Sequence, residues 1–223
     1  MSEIKNFTDR NNYQTEITCP ACGKKSSFTM HALIDTTKDV NAEVKVFNSD
    51  YFLHTCPTCH NVQHLSYSCM YHDGERKLLI GFADTDKDYD EMKVTLSGVK
   101  QDTKLDEVLS KWLDTCTVRL VRSEMELQEK VLIKHFDLDD RVVEIARGRI
   151  LKELKDKGEN VDFLMFNTID EGYAFLSFNE NGVDKTIGFS KEAYDSIEEE
   201  FKDKLKDDSD LEVNAEWYEK FTK

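Results

Sequence analysis

Thr18-Cys19-Pro20-Ala21-Cys22-Gly23 recurs as Thr55-Cys56-Pro57-Thr58-Cys59-His60. Each copy sets two thiols two residues apart across a short turn. The only two prolines of the chain, Pro20 and Pro57, both lie inside these turns, where a φ fixed at about −65° pre-sets the bend. Gly23 follows the first pair and tolerates positive φ, which lets backbone N–H groups turn toward the sulfurs. His60 takes that place after the second pair. It departs from glycine, although histidine is among the residues enriched at positive φ.

Cys19, Cys22, Cys56 and Cys59 make up the donor set of a structural zinc, which takes four thiolates in a tetrahedron. The expected cofactor is one structural Zn²⁺, and the sequence does not separate zinc from iron. Disulfides and chance pairs of buried cysteines are the alternatives. Between Cys22 and Cys56 lie 33 residues. A plain ribbon has roughly 15–20 there, so an insert is expected between the knuckles.

A chain of 223 residues with 39% hydrophobic content can build a real core, as one large domain or two small ones. Its net charge of −15 opposes approach to phosphate, whereas nucleic-acid binders present a basic face. Nucleic acid is therefore not the expected partner. Residues Met1 to Arg10 contain no apolar h-region, and no apolar run approaches the ~18 residues that span a bilayer. The expected location is the cytoplasm, with no membrane association. A reducing compartment favours metal over disulfide at the paired cysteines.

Along the chain, residues 1–15 read as polar and loose. Ser27–Leu33 reads as a strand after the first knuckle, and Asn41–Phe47 as a short helical turn. Tyr51–His54 leads into the second knuckle and Val62–Tyr67 leaves it as a strand. Asp73-Gly74 marks a turn, with Lys77–Phe82 returning. The picture is a small antiparallel sheet closed at one end by the metal, with little core that does not depend on it. Asp84–Glu91 alternates aspartates like the start of a calcium loop. Such a loop needs Gly at position 6 and Glu at position 12, and Tyr89 and Thr95 stand there. It reads instead as a solvated acidic linker.

Beyond it, Leu105–Leu113 reads as a short helix and Thr117–Val121 as a strand. Ser123 and Glu126 form a capping box opening a helix with Leu127, Val131, Leu132 and Phe136 inward. Asp137 and Asp140 mark the start of a second helix, whose stripe is Val142, Ile145, Ala146, Ile150 and Leu154. Asp162–Ile169, Tyr173–Phe178 and Thr186–Phe189 read as two or three strands. Ser190 caps a last long helix with Ala193, Ile197, Phe201 and Leu205 on one face. The acidic tail 207–223 ends in Trp217, Tyr218 and Phe221, either docked on the body or open to a partner. The fold class is α+β, an antiparallel β front half followed by an α+β half with two or three strands and three amphipathic helices.

The paired CPxC, Tyr71-His72-Asp73, and above all Arg119-Leu120-Val121-Arg122-Ser123, Glu129-Lys130-Val131-Leu132-Ile133 and Leu138-Asp139-Asp140-Arg141-Val142-Val143-Glu144 resemble the bacterial CpXC proteins. The resemblance covers about residues 17–155. It implies a zinc-ribbon-like front half with Cys19, Cys22, Cys56 and Cys59 on the matching positions, and it carries no activity across. The expected domains are 12–90, a zinc-ribbon-like region with an insert between the knuckles, and 91–223, an α+β region with an acidic tail.

Four thiolates leave no open position for a substrate, and no Walker loop, H-E-x-x-H or G-x-S-x-G occurs. His72-Asp73 reads as part of a turn, since neighbours in a strand face opposite ways. His31, His54 and His64 lie near the knuckles and read as supporting or surface residues. Cys69 and Cys116 read as small buried hydrophobes. The expected function is a zinc-binding protein-interaction or regulatory module whose partner is another protein. The other readings are a nucleic-acid-associated ribbon, a metal-dependent enzyme and a thiol redox switch.

Overall fold

The repeat folds as two antiparallel hairpins, β1 (Tyr13–Thr18) with β2 (Lys25–Met30) and, past the insert, β4 (Leu53–Thr55) with β5 (Val62–His64). The structure, a computed structural model, describes residues 12–101, 115–169, 172–180 and 182–223. Its contacts divide the chain into two units, 1–128 and 129–223. The segment read as a helix at Leu105–Leu113 lies outside the described residues. Among those residues no helix is long and apolar enough to cross a membrane.

In the first unit the insert supplies β3 (Leu33–Asp35) and α1 (Ala42–Phe47), which buries Ala42 and Val46. After the second hairpin come β6 (Cys69–Asp73) and β7 (Leu78–Phe82). They form the expected turn, and the buried Asp73 carboxylate accepts the Glu75 and Arg76 amides at 3.1 and 3.0 Å and the Arg76 guanidinium at 2.9 Å. His72 bonds instead to Asp35 at 3.1 Å, so the pair serves the turn and its neighbour strand. Parallel strands flank this central hairpin: β3 pairs with β6, and β8 (Thr117–Val121) pairs with β7, in the order β3-β6-β7-β8.

The stretch 84–91 is not a linker. It starts α2 (Asp86–Gln101), where the Thr85 hydroxyl accepts the Asp88 amide at 3.1 Å. Aspartates in a first helical turn complement the positive end of the helix dipole, so the same charges that suit a loop suit a helix start. Met92 and Leu96 of α2 are buried. A Cβ on Gly81 would lie 3.1–3.3 Å from Leu96, Met92 and Leu120, so the bare backbone of β7 is what lets α2 lie down on the sheet.

The hairpins pack through aromatic side chains. Phe28 meets His54 and Tyr67 edge-on at 5.8 and 6.0 Å, and Phe52 meets Tyr67 and Phe82 at 5.1 and 5.8 Å. With Ile34, Tyr71, Ile80 and Val118 also buried, this unit has an apolar and aromatic core beyond the knuckles, larger than the little that the sequence suggests.

Helix α3 (Glu124–His135) opens with the capping box in both directions, Ser123 N–H to Glu126 and Glu126 N–H to Ser123, each at 3.1 Å. Leu127 and Val131 are buried as the stripe requires. Phe136 is 38% exposed. It lies past the helix end, where Asp137 turns to φ 55° and breaks the stripe.

In the second unit α4 (Asp140–Asp156) is capped by Asp139, which accepts the Arg141 amide. Strands β9 (Phe163–Ile169), β10 (Gly172–Asn179) and β11 (Gly182–Phe189) form an antiparallel sheet in the order β11-β10-β9. Then come α5 (Lys191–Asp207) and α6 (Ala215–Phe221). Val142, Ile145 and Ala146 of α4 share one core with Leu164, Phe166, Phe175 and Phe189 of the sheet and Ile197 and Leu205 of α5. Ser190 caps α5 through the Ala193 amide, but Ala193 itself is exposed and Tyr194 is the buried residue of that turn. Its larger ring fills more of the core, and its hydroxyl accepts the Asp139 amide at 2.8 Å. The tail aromatics are docked: Trp217 is buried, stacks on Phe221 at 4.5 Å and donates from Nε1 to Asp208 at 3.1 Å.

Candidate metal centre

Each knuckle closes by the same backbone bonds. Cys19 N–H donates to Lys24 C=O and Gly23 N–H to Cys19 C=O, both at 2.9 Å; Cys56 N–H donates to Asn61 C=O and His60 N–H to Cys56 C=O, both at 2.9 Å. The turns need a left-handed residue directly after the second cysteine. Gly23 takes φ 69° and His60 φ 60°, so histidine adopts the glycine conformation and the departure leaves the second knuckle's geometry intact. Sequence reasoning did not single out Lys24 and Asn61. Their common signal is position, five residues after the first cysteine of each knuckle.

The equivalent turns bring all four sulfurs within 4.8 Å of one another. Cys19 Sγ lies 3.6 Å from Cys59 Sγ, and Cys22 Sγ lies 3.8 Å from Cys56 Sγ. A tetrahedral ion with metal–sulfur bonds of about 2.3 Å has sulfur–sulfur edges of about 3.8 Å. Disulfide sulfurs would stand at about 2.05 Å, and all six cysteines are free. Cys19 and Cys56 are buried at the base of the knuckles, and Cys59 faces outward.

The four thiols act on one another's protonation. The amides of Cys59 and Thr58 point at Cys56 sulfur and pull its pKa down to about 6. The Asn61 amide pulls Cys59 down as well, but the neighbouring Cys22 thiol, burial, and the Cys19 and Cys56 thiols outweigh it, and Cys59 is pushed up to about 12. Negative charge on one sulfur thus disfavours it on the next. A dication held by Cys19, Cys22, Cys56 and Cys59 would relieve that conflict and favour the thiolate forms.

The histidines stand outside the cluster. His54 is hydrogen-bonded to Ser26 at 2.9 Å and meets Phe28 edge-on, bracing one hairpin against the other. His64 bonds to Glu124, and His31 packs on Tyr51 at 4.9 Å. Cys69 is fully buried in β6, and burial pushes its thiol well above the usual range. Among the described residues, the only group of three or more potential ligands is the cysteine quartet.

Two matched CPxC hairpins closing a four-sulfur cluster on an α+β body define a two-knuckle ribbon protein. The chain belongs to the CpXC family: the family model, described as CpXC protein, matches residues 17–147. That span holds both knuckles and ends inside α4. Neither the comparison with curated proteins nor that with solved structures found a match.

Proposed function

We propose that Cys19, Cys22, Cys56 and Cys59 bind one Zn²⁺ with a structural role, and that the chain acts as a protein-interaction or regulatory module. The observation that carries the metal is the convergence of two equivalent knuckles on four sulfurs within 4.8 Å. The interaction reading is supported by the closed donor set, which leaves no coordination position for a substrate. The charge of −15 supports a protein partner over nucleic acid, since little counterion release would drive binding to phosphates. Elemental analysis of freshly purified protein is expected to find one zinc per chain, lost in the Cys56→Ser/Cys59→Ser variant. Stoichiometric iron would replace zinc in this reading. A folded, metal-free protein with disulfides at the cysteine pairs would overturn it.

A further inference from the structure

An antiparallel sheet that faces water on one side alternates apolar and polar residues along each strand. Strands β9 and β10 do not. Phe163-Leu164-Met165-Phe166 and Tyr173-Ala174-Phe175-Leu176-Ser177-Phe178 are close to continuously apolar, the pattern of a sheet covered on both faces. In the second unit one face is covered. Leu164, Phe166, Phe175, Ile187 and Phe189 point into the core shared with α4 and α5.

The alternate residues point the other way. The register sets Phe163 opposite Phe178, Met165 opposite Leu176, and Phe178 opposite Val183. The Phe163 and Phe178 rings stack at 4.6 Å, nearly parallel. None of these residues belongs to the core cluster. Phe163 is 37%, Ile169 42% and Val183 58% exposed, Met165, Leu176 and Phe178 are half-buried, and Ala174 at the middle of the face is buried. All of this face lies beyond the residues that the CpXC model matches.

From this we infer that the outer face of the β9–β10–β11 sheet is a docking surface for a basic amphipathic helix of another protein. The inference rests on the reading of the chain as a protein-interaction module and names the surface. Size selects the occupant. Three strands span about 14 Å and eight residues about 27 Å, a strip that one helix 10–12 Å wide and about 18 residues long covers. A strip of this size is small for a stable complex, which buries ~800 Å² per partner, and fits a weaker, micromolar contact. Charge selects the flanks. Exposed Asp162, Glu180 and Asp184 lie at the Phe163/Phe178 end, where Lys185 is already held by Glu159. Apolar residues at i, i+3, i+4 and i+7 would lie on the face, with lysines or arginines beside the carboxylates.

The test uses the full-length protein and a fluorescein-labelled synthetic helix of about 18 residues, with a leucine stripe and lysine flanks. Two control peptides scramble the stripe or replace lysine by glutamate. The expected result is micromolar binding of the first peptide only, with amide shifts confined to β9–β11 in labelled protein. Phe163→Ser should weaken it by at least about tenfold. The exposed Val183→Lys should do the same with an unchanged melting temperature, which guards against loss of fold in the first variant. Absence of binding, equal binding of a control peptide, or dimerisation through this face would each overturn the inference. Binding that survives both variants would sink the surface assignment and leave the interaction reading intact. Peptide binding by a metal-free, disulfide-bonded chain would do the reverse, removing the structural zinc and keeping the surface.

Discussion

His60 holds a backbone angle that costs an L-residue about 1–2 kcal/mol, at the one place where the second knuckle cannot close without it. Gly23 meets the same demand at no such cost, and a Cβ there would meet nothing within 4 Å. The penalty at this position is therefore conformational, not steric. Replacing His60 by Gly removes it but adds the larger unfolded-state entropy of glycine, about 0.5–1 kcal/mol. The net expectation for His60→Gly is a gain of roughly 0.5–1 kcal/mol in denaturant unfolding of the metal-loaded protein. His60→Val should lose stability, because a β-branched residue is a poor occupant of positive φ. Equal midpoints for all three side chains would show that the turn adapts to its occupant. The histidine was legible in the sequence as a departure; that it adopts the glycine conformation was not, because φ is set by the hydrogen bond of its N–H to Cys56.

Helix α4 combines an apolar stripe, readable from spacing, with a buried ionic network that spacing does not reveal. Glu144 is 2% exposed and lies 2.8 Å from Arg147, which also reaches Glu129 at 2.6 Å. Glu129 in turn accepts the Phe166 amide of β9 at 2.5 Å. Lys130 pairs with Asp140 at 2.8 Å and donates to the Val213 carbonyl. Three carboxylates thus share two cations out of water. Burial raises the Glu144 pKa; Arg147 and Lys130 oppose the shift, and Glu129 and Asp140 add to it. A carboxyl raised on folding binds more protons in the native state, so stability is greatest below its unfolded pKa of about 4.5 and falls as pH rises through the folded value. Glu144→Gln keeps the shape and removes the proton. The variant should unfold with a flatter dependence on pH above about 4.5 than the parent, measured as denaturant midpoints across that range. An unchanged pH dependence would mean that Glu144 is ionised in the native state.

At the scale of the whole molecule, a metal held by the four cysteines would act over a limited distance. In finger peptides structural zinc supplies about 10–16 kcal/mol because binding and folding are one event. Here the first unit has an aromatic core around Phe28, Phe52, Tyr67 and Phe82, so loss of the proposed metal should act locally. In the Cys56→Ser/Cys59→Ser variant, amides of residues 18–25 and 55–62 should exchange faster. Those of 69–82 should lose less protection, and those of 140–206 none. Hydrogen exchange read by mass spectrometry resolves the three regions. Loss of protection in 140–206 together with the knuckles would show that both units unfold as one. No change at the knuckles would mean that the cysteines are not a structural metal site.

Features that the chain determined by itself are those written within a few residues: the knuckles, the Ser123–Glu126 box, the turn at Asp73-Gly74 and the α4 stripe. Each rests on one hydrogen-bonded turn or one helical face, so local spacing is enough. The acidic run at 84–91 marks the limit, because aspartates suit a solvated loop and a helix start alike. Burial of Met92 and Leu96 over Gly81 decided for the helix. Strand partners were also beyond local reach. That β3 and β8 join the central hairpin in parallel depends on connections through α1 and α2 and on which side chains find a common core. The four sulfurs meet for the same reason. Each pair was visible in its own turn, but their approach across 33 intervening residues was decided by the packing of Phe28, His54 and Tyr67, where long-range burial and not sequence proximity sets the distance.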